Sequence, residues 1–257
     1  MKLCVDIGNS NTVVGLYREK KQIARWRIAT DRHITMHDLM ATFHSLMSAH
    51  NIAKESVCCI IISSVVPTWN HSWTRFSKEY FSVEPFFVTP TTDTGITLRI
   101  TQPQQVGSDR IVNAVAAHHR FPHGALVVDS GTAITVDVVT PQAEYIGGAI
   151  MPGILISLEA LAERTAQLPR VMLDTPEHAI GTTTEESLKS GIFFGFVGMI
   201  DKVISEIIKE LPFSPTIIAT GGLAGHFADA STYIQQYERD LTLTGLNIIG
   251  QRITERS

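Results

Sequence analysis

Three short stretches carry side chains whose types and spacing suit phosphate chemistry. Asp6-Ile7-Gly8-Asn9-Ser10-Asn11-Thr12 lies between the apolar runs Leu3-Cys4-Val5 and Val13-Val14-Gly15-Leu16-Tyr17. A carboxylate leads this turn and small hydroxyl and amide side chains fill it. Glycine and asparagine tolerate the left-handed backbone that a tight turn can need. Its backbone N–H groups can converge on an anion, while Asp6 holds a metal ion or its waters. An ordinary polar hairpin turn is the alternative. A second copy changes that balance: Asp129-Ser130-Gly131-Thr132-Ala133-Ile134-Thr135 follows Ala125-Leu126-Val127-Val128 and precedes Val136-Asp137-Val138-Val139. A third small turn, Thr220-Gly221-Gly222, follows the strand-like run Thr216–Ala219. One Asp-led turn thus opens each half of a 257-residue chain.

The elements needed to hold these turns can be read from hydrophobic period. Residues 3–17 form a hairpin, and Ala24, Trp26 and Ile28 alternate with Arg25 and Arg27 as in a half-solvated strand. Thr35 and Asp38 form a helix capping pattern with Asp in place of Glu, and Leu39, Phe43, Leu46 and Met47 follow at helical spacing. Residues 57–63 suit a strand buried on both faces; a helix from Pro67 through Tyr80, with Trp69 and Trp73 on one face, comes next. Ile96, Leu98 and Ile100 alternate like an edge strand. Val106-Gly107-Ser108-Asp109-Arg110 opens a further helix, with Ser108 or Asp109 as its cap. In the second half, Ile154–Ala166 reads as a helix turning Leu155, Leu158, Leu161 and Ala162 to a core, and Thr182 with Glu185 has capping-box spacing. Gly191, Gly195 and Gly198 then recur at helical spacing beside Phe193, Phe194 and Phe196. Each glycine costs a helix about 1 kcal/mol relative to alanine, so this face predicts a close approach, either inside one chain or between two. Leu241–Ile253 reads as a closing helix. Strands alternating with helices define an α/β fold, and Arg120–Gly124 marks the boundary between domains 1–120 and 121–257.

Hydrophobic residues make up 44% and charged residues 18%, as in ordinary globular proteins. A net charge of −4 with no basic run argues against nucleic-acid binding. Asp6 interrupts the N-terminal apolar stretch too early for a signal peptide, and no apolar run approaches the roughly 20 residues of a membrane helix. Cys4, Cys58 and Cys59 lack metal-ligand spacing and read as buried free thiols of a reducing compartment, so a cytoplasmic protein with no membrane partner is expected. His118-His119 precedes a helix breaker and reads as one core and one surface residue.

Two Asp-led phosphate turns and a late Gly-Gly turn resemble the actin-like ATPase superfamily, whose duplicated (ribonuclease H-like) domains hold a nucleotide in the cleft between them. Further motifs narrow the resemblance. Asp6-Ile7-Gly8-Asn9-Ser10-Asn11, Gly107-Ser108-Asp109-Arg110, Asp129-Ser130-Gly131-Thr132, Tyr145-Ile146-Gly147-Gly148 with Pro152-Gly153, and Gly181 through Thr184 resemble, in order and spacing, the type III pantothenate kinases. The resemblance implies a homodimer that phosphorylates pantothenate with ATP, using Mg²⁺ and a monovalent cation, potassium or ammonium, in the first step toward coenzyme A. It implies that Asp6 through Val13 (Asp6, Ile7, Gly8, Asn9, Ser10, Asn11, Thr12 and Val13) and Thr132 contact ATP, and that Asp109 is the catalytic base. Gly107, Ser108, Asp109, Arg110 and Thr184 then contact pantothenate, Asp129 binds the monovalent cation, and Asp6 lies at the divalent metal. Many members carry a substrate-contacting tyrosine where this chain has Ile100.

The residue types fit that chemistry. Phosphoryl transfer is mainly positioning and charge neutralisation; a carboxylate must accept the alcohol's proton, and Arg110 offers a planar fork for a carboxylate or phosphate. Each also has a structural alternative: Asp109 as a helix cap, Arg110 in a surface ion pair, Asp129 in turn hydrogen bonds, Thr132 and Thr184 as turn or cap residues. A kinase for another small alcohol and a nucleotide-binding regulator on the same fold are the competing functions, and intact Asp6, Asp109 and Asp129 weigh against the regulator.

Overall fold

The computed structural model describes residues 1–31 and 33–255, which fall into two compact units, Met1–Ala116 with the chain from Leu241 onward, and Ala117–Asp240. The final helix, expected in the second half, therefore groups with the first unit, and the division falls at Ala116/Ala117 rather than near Arg120.

In the first unit β1 (Lys2–Ile7), β2 (Asn11–Arg18) and β3 (Lys21–Ala29) form an antiparallel meander. Helix α1 (Met36–Ala49) returns the chain so that β4 (Cys59–Ser64) lies parallel to β1. Helix α2 (Pro67–Phe76) leads on to β5 (Phe86–Phe87), giving the order β3-β2-β1-β4-β5. The capping pattern at α1 is present: Asp38 N donates to Thr35 Oγ1, and Thr35 N donates to Asp38 Oδ2. The Thr35 hydroxyl, donating to Asp38 Oδ2 at 2.7 Å, and then Thr35 N hold the Asp38 carboxyl below its ordinary pKa. Ala24 and Trp26 are buried and Arg27 is exposed, as the alternation predicts. Trp69 and Trp73 both enter the core, Trp73 edge-on to Phe43 at 5.6 Å. The helix expected to run to Tyr80 changes at Ser77 into a π turn over Ser77–Phe81, ended by Ser82 at φ 58°. Only Thr97–Leu98 (β6) is strand in the segment expected to be an edge strand, and α3 (Ser108–Arg120) follows, buried on every face from Ile111 to Ala117.

The second unit repeats the plan. β7 (Ala125–Ser130), β8 (Ala133–Val139) and β9 (Glu144–Pro152) form the meander, then come α4 (Ile154–Arg164) and α5 (Thr184–Glu210). β10 (Thr216–Thr220) pairs parallel to β7, and β11 (Gln236–Tyr237) pairs parallel to β10. The order β9-β8-β7-β10-β11 matches that of the first unit in sequence and in strand sense, so the duplication extends to all five of these strands. The chain closes with α6 (Leu241–Thr254), packed on β1 and β4 of the first unit.

Several local expectations change. Thr183, not Thr182, caps α5, because the Glu186 carboxylate gathers the N–H groups of both Thr182 and Thr183. Leu155 and Leu161 are exposed on α4, whose buried residues are Ile154 and Leu158. Cys58 is exposed, because β4 begins only at Cys59; Cys4 is the buried thiol, its pKa raised by burial.

Candidate active site

In the first unit the functional candidates meet at the carboxyl ends of parallel strands β1 and β4. Asp6 is half-buried at the end of β1, in register with Val13 on β2 and Ser63 on β4. The turn after it is closed from within: Gly8 N donates to Asn11 O at 3.1 Å, Thr30 Oγ1 donates to Gly8 O at 2.8 Å, and Thr30 Oγ1 lies 3.1 Å from Thr12 Oγ1. Gly8 needs no left-handed backbone. It is small because a Cβ there would lie 3.0 Å from Asn11 O. Ile7 points into the core, so it offers a ligand only its backbone, whereas Asn9 and Ser10 are exposed and Asn11 and Val13 half-buried.

The start of α3 is tied to the same strand ends. Ser108 does not act as a simple cap. Its Oγ lies 3.0 Å from Ser63 Oγ, accepts from Ser64 N at 2.9 Å and reaches Ser64 O at 3.1 Å. That anchor places Asp109 in the first turn, where its Oδ1 accepts from Arg110 N at 2.8 Å. The helix dipole favours an ionised carboxylate at this end. A Cβ on Gly107 would overlap Asp109 Oδ1, so glycine is what leaves the carboxylate its place. Beside these residues opens a cavity of about 330 Å³, lined by Ser64, Asn70, Thr89, Gln105, Gly107 and Ser108 among others and by no charged side chain. Asn70 Oδ1 is buried without a hydrogen-bond partner. Sequence reading passed over Asn70, which sits between the two tryptophans that define the apolar face of α2. Ile100 is half-buried after β6 and does not line this cavity.

In the second unit Asp129 occupies the equivalent strand end, half-buried on β7 and in register with Thr135 on β8 and Thr220 on β10. Gly221 adopts φ +93°, which L side chains rarely adopt, and a Cβ there would lie 2.6 Å from Asp129 Oδ1 and 2.5 Å from Ser130 O. The third turn thus presses its backbone onto the second. The hydroxyls of Ser130 and Thr220 are buried and without hydrogen-bond partners. Carboxylate and hydroxyl oxygens suit a hard cation, and the buried Thr220 hydroxyl lies level with Asp129. Among the described residues no group of three or more His, Cys, Asp or Glu could hold a metal on its own. Thr132 is half-buried, its carbonyl closely approached by Gly153, and Thr184 is exposed at the first position of α5.

Two duplicated α/β units with Asp-led turns at their strand ends define an actin-like, sugar-kinase-type fold. A crystal structure of a candidate 2-dehydro-3-deoxygalactonokinase from Sinorhizobium meliloti aligns with a TM-score of 0.60 at 14% identity, covering 98% of this chain and 99% of its own. The sequence profile of the type III pantothenate kinases matches residues 2–206. A type III pantothenate kinase from Geobacter sp. strain M21 is 42% identical over 252 residues, 98% of this chain and 99% of its own. One from Myxococcus xanthus strain DK1622 is 41% identical over 249 residues, 97% of each chain. The chain belongs to the type III pantothenate kinase family. It is a phosphotransferase that uses ATP to phosphorylate pantothenate for coenzyme A biosynthesis.

Proposed function

We propose that Asp109 is the general base of this reaction and that the neutral cavity beside it receives the uncharged body of pantothenate. The observation that carries the reading is the fixed start of α3: Ser108 bonded to the end of β4, Gly107 yielding space, and Asp109 held by Arg110 N. Asp109 accepts the proton of the terminal hydroxyl as that oxygen attacks the γ-phosphorus, giving 4'-phosphopantothenate and ADP. Gly107, Ser108 and Arg110 orient the substrate, with the Arg110 guanidinium suited to its carboxylate, and Thr184 contributes from α5. The Asp6–Val13 turn and Thr132 hold the ATP phosphates. Asp6 would hold Mg²⁺ or its waters and Asp129 the potassium or ammonium ion, each neutralising phosphate charge when bound.

A cytoplasmic homodimer completes the reading. Among the described residues, nothing lies within 4 Å of a Cβ built on Gly191, Gly195 or Gly198, which supports a face left open for a partner. Phe194 on the same helix and Leu155 and Ile156 on the adjoining α4 are exposed apolar residues that a second copy would cover.

The test is ADP release from MgATP with and without pantothenate, in potassium buffer and in one whose only monovalent cation is a bulky organic ion. Pantothenate-dependent turnover that requires potassium is expected. Turnover without potassium would remove the cation from Asp129, and no pantothenate-dependent turnover from folded protein would overturn the substrate.

A further inference from the structure

The Tyr145-Ile146-Gly147-Gly148 motif has no part in the chemistry above, yet two of its residues serve one buried carboxylate. Asp137 on β8 is fully buried. Tyr145 Oη donates to its Oδ1 at 2.8 Å and Thr135 Oγ1 donates to its Oδ2 at 2.9 Å. Gly148 stands opposite Asp137 in the β8–β9 ladder, where a Cβ would run into the carbonyl of Val136. Glycine there lets β9 cross close over β8 and leaves the carboxylate to the tyrosine. A buried carboxylate is costly to keep unless bonded, so a merely structural position would be filled more cheaply by an apolar or amide side chain.

What the carboxylate does is orient a hydroxyl. It only accepts, so the single proton of Thr135 is committed to Asp137, and toward its other neighbours Thr135 offers lone pairs. One of those neighbours is Asp129, directly opposite Thr135 in the β7–β8 ladder. Side chains so paired share a face with their Cβ atoms about 5 Å apart. Thr220 flanks Asp129 from the other side with its buried hydroxyl. We propose that Asp137 is a positioning residue for the Asp129 cation site: anchored by Tyr145, it turns the Thr135 oxygen toward Asp129 as an acceptor and keeps its proton away. This rests on the reading of Asp129 as a cation ligand. Thr135→Val removes the oxygen at almost the same volume, Thr135→Ser keeps it, and Asp137→Asn offers Thr135 an N–H, which frees the hydroxyl proton to turn on Asp129.

The experiment compares these three variants with the unmodified chain. Potassium is titrated against a bulky organic cation at constant ionic strength, reading the rise in thermal midpoint and, separately, turnover. Loss of such supporting contacts weakens metal binding by about 10–100-fold. The potassium midpoint should therefore move by that factor in Thr135→Val and Asp137→Asn by both readouts, with Thr135→Ser near the original and the pantothenate KM unmoved. The thermal midpoint in the organic cation alone reports folding, and the near-isosteric Thr135→Val with the hydroxyl-keeping Thr135→Ser carries the test if Asp137→Asn does not fold. An unmoved potassium midpoint in Thr135→Val, or equal loss in Thr135→Val and Thr135→Ser, would overturn the assignment. An unmodified chain with no potassium-specific response in either readout would instead sink the Asp129 reading on which it stands.

Discussion

At the scale of single residues the proposed reaction turns on where one carboxylate is held. Asp109 is positioned by short-range means, the Arg110 N–H and the vacancy left by Gly107, and by a long-range one, Ser108 bonded to Ser64 of β4. Asp109→Asn keeps the shape and the contact to Arg110 N but cannot take a proton. It should lower kcat by about 10²–10⁴-fold while a nucleotide-binding titration returns the original ATP affinity; undiminished turnover would remove Asp109 as the base. The acidic residues of the candidate site stand out in the sequence because each sits in a short motif, an Asp followed by glycine and small polar residues or the Gly-Ser-Asp-Arg run. Ser108 was legible as a helix-start residue but not as a strand anchor, because its partners Ser63 and Ser64 are 45 and 44 residues away. Asn70 and Asp137 were not legible at all. One lies on a helix whose pattern is dominated by tryptophan, the other on a strand whose alternation marks only which face it is on.

At the scale of elements, periodicity found the strands and helices and failed where a face had to be matched to its cover. The α4 pattern shows an apolar stripe, but Leu155 and Leu161 on it are exposed while Leu158 is buried. Spacing says that a helix has an apolar face, not whether its own chain supplies the cover. The same limit hid the role of the glycines in α6, on which the helical pattern was silent. Gly245 lies where a Cβ would penetrate the carbonyl of Val112 on α3, and Gly250 where one would enter Ile61 of β4. These glycines let α6 lie close to the first sheet, where Lys2 Nζ donates to Asn247 O at 3.2 Å and Thr242 Oγ1 donates to Asn113 Oδ1 at 2.8 Å. Gly→Ala in a helix ordinarily stabilises by about 1 kcal/mol, whereas forcing an atom into a packed contact costs about 1–3 kcal/mol. The second effect is larger, so Gly245→Ala should lower the thermal midpoint. A raised midpoint would mean that α6 can move off α3 without loss, and that its docking is looser than the contacts imply.

At the scale of the molecule, the duplication was visible in sequence only as two Asp-led turns, because matching sheets need only matching patterns of burial, not matching residues. The surface of the second unit carries the remaining question. Among the described residues no helix is long and apolar enough to cross a membrane. Apolar residues are exposed on α4, α5 and β9, with Ile150 at 66% and Phe194 at 46%. The three glycines of α5 sharpen the choice. In the monomer each costs helix stability, about 1 kcal/mol, and a Cβ at each would face open space, so among the described residues no contact at that Cβ offsets the cost. A second copy approaching along this face would offset it through backbone-close packing. Gly195→Leu separates the two situations because a Cβ there has no described residue of the chain within 4 Å: the variant should leave the fold intact, and even strengthen the helix, while blocking close approach by a partner. Light scattering should then show the dimer mass of the unmodified protein fall to the monomer mass, with the thermal midpoint measured alongside to confirm folding. A variant that keeps the dimer mass would free α5 of the contact and leave α4 and β9 as the faces to alter next. A monomeric unmodified protein would instead leave the glycines without a packing role.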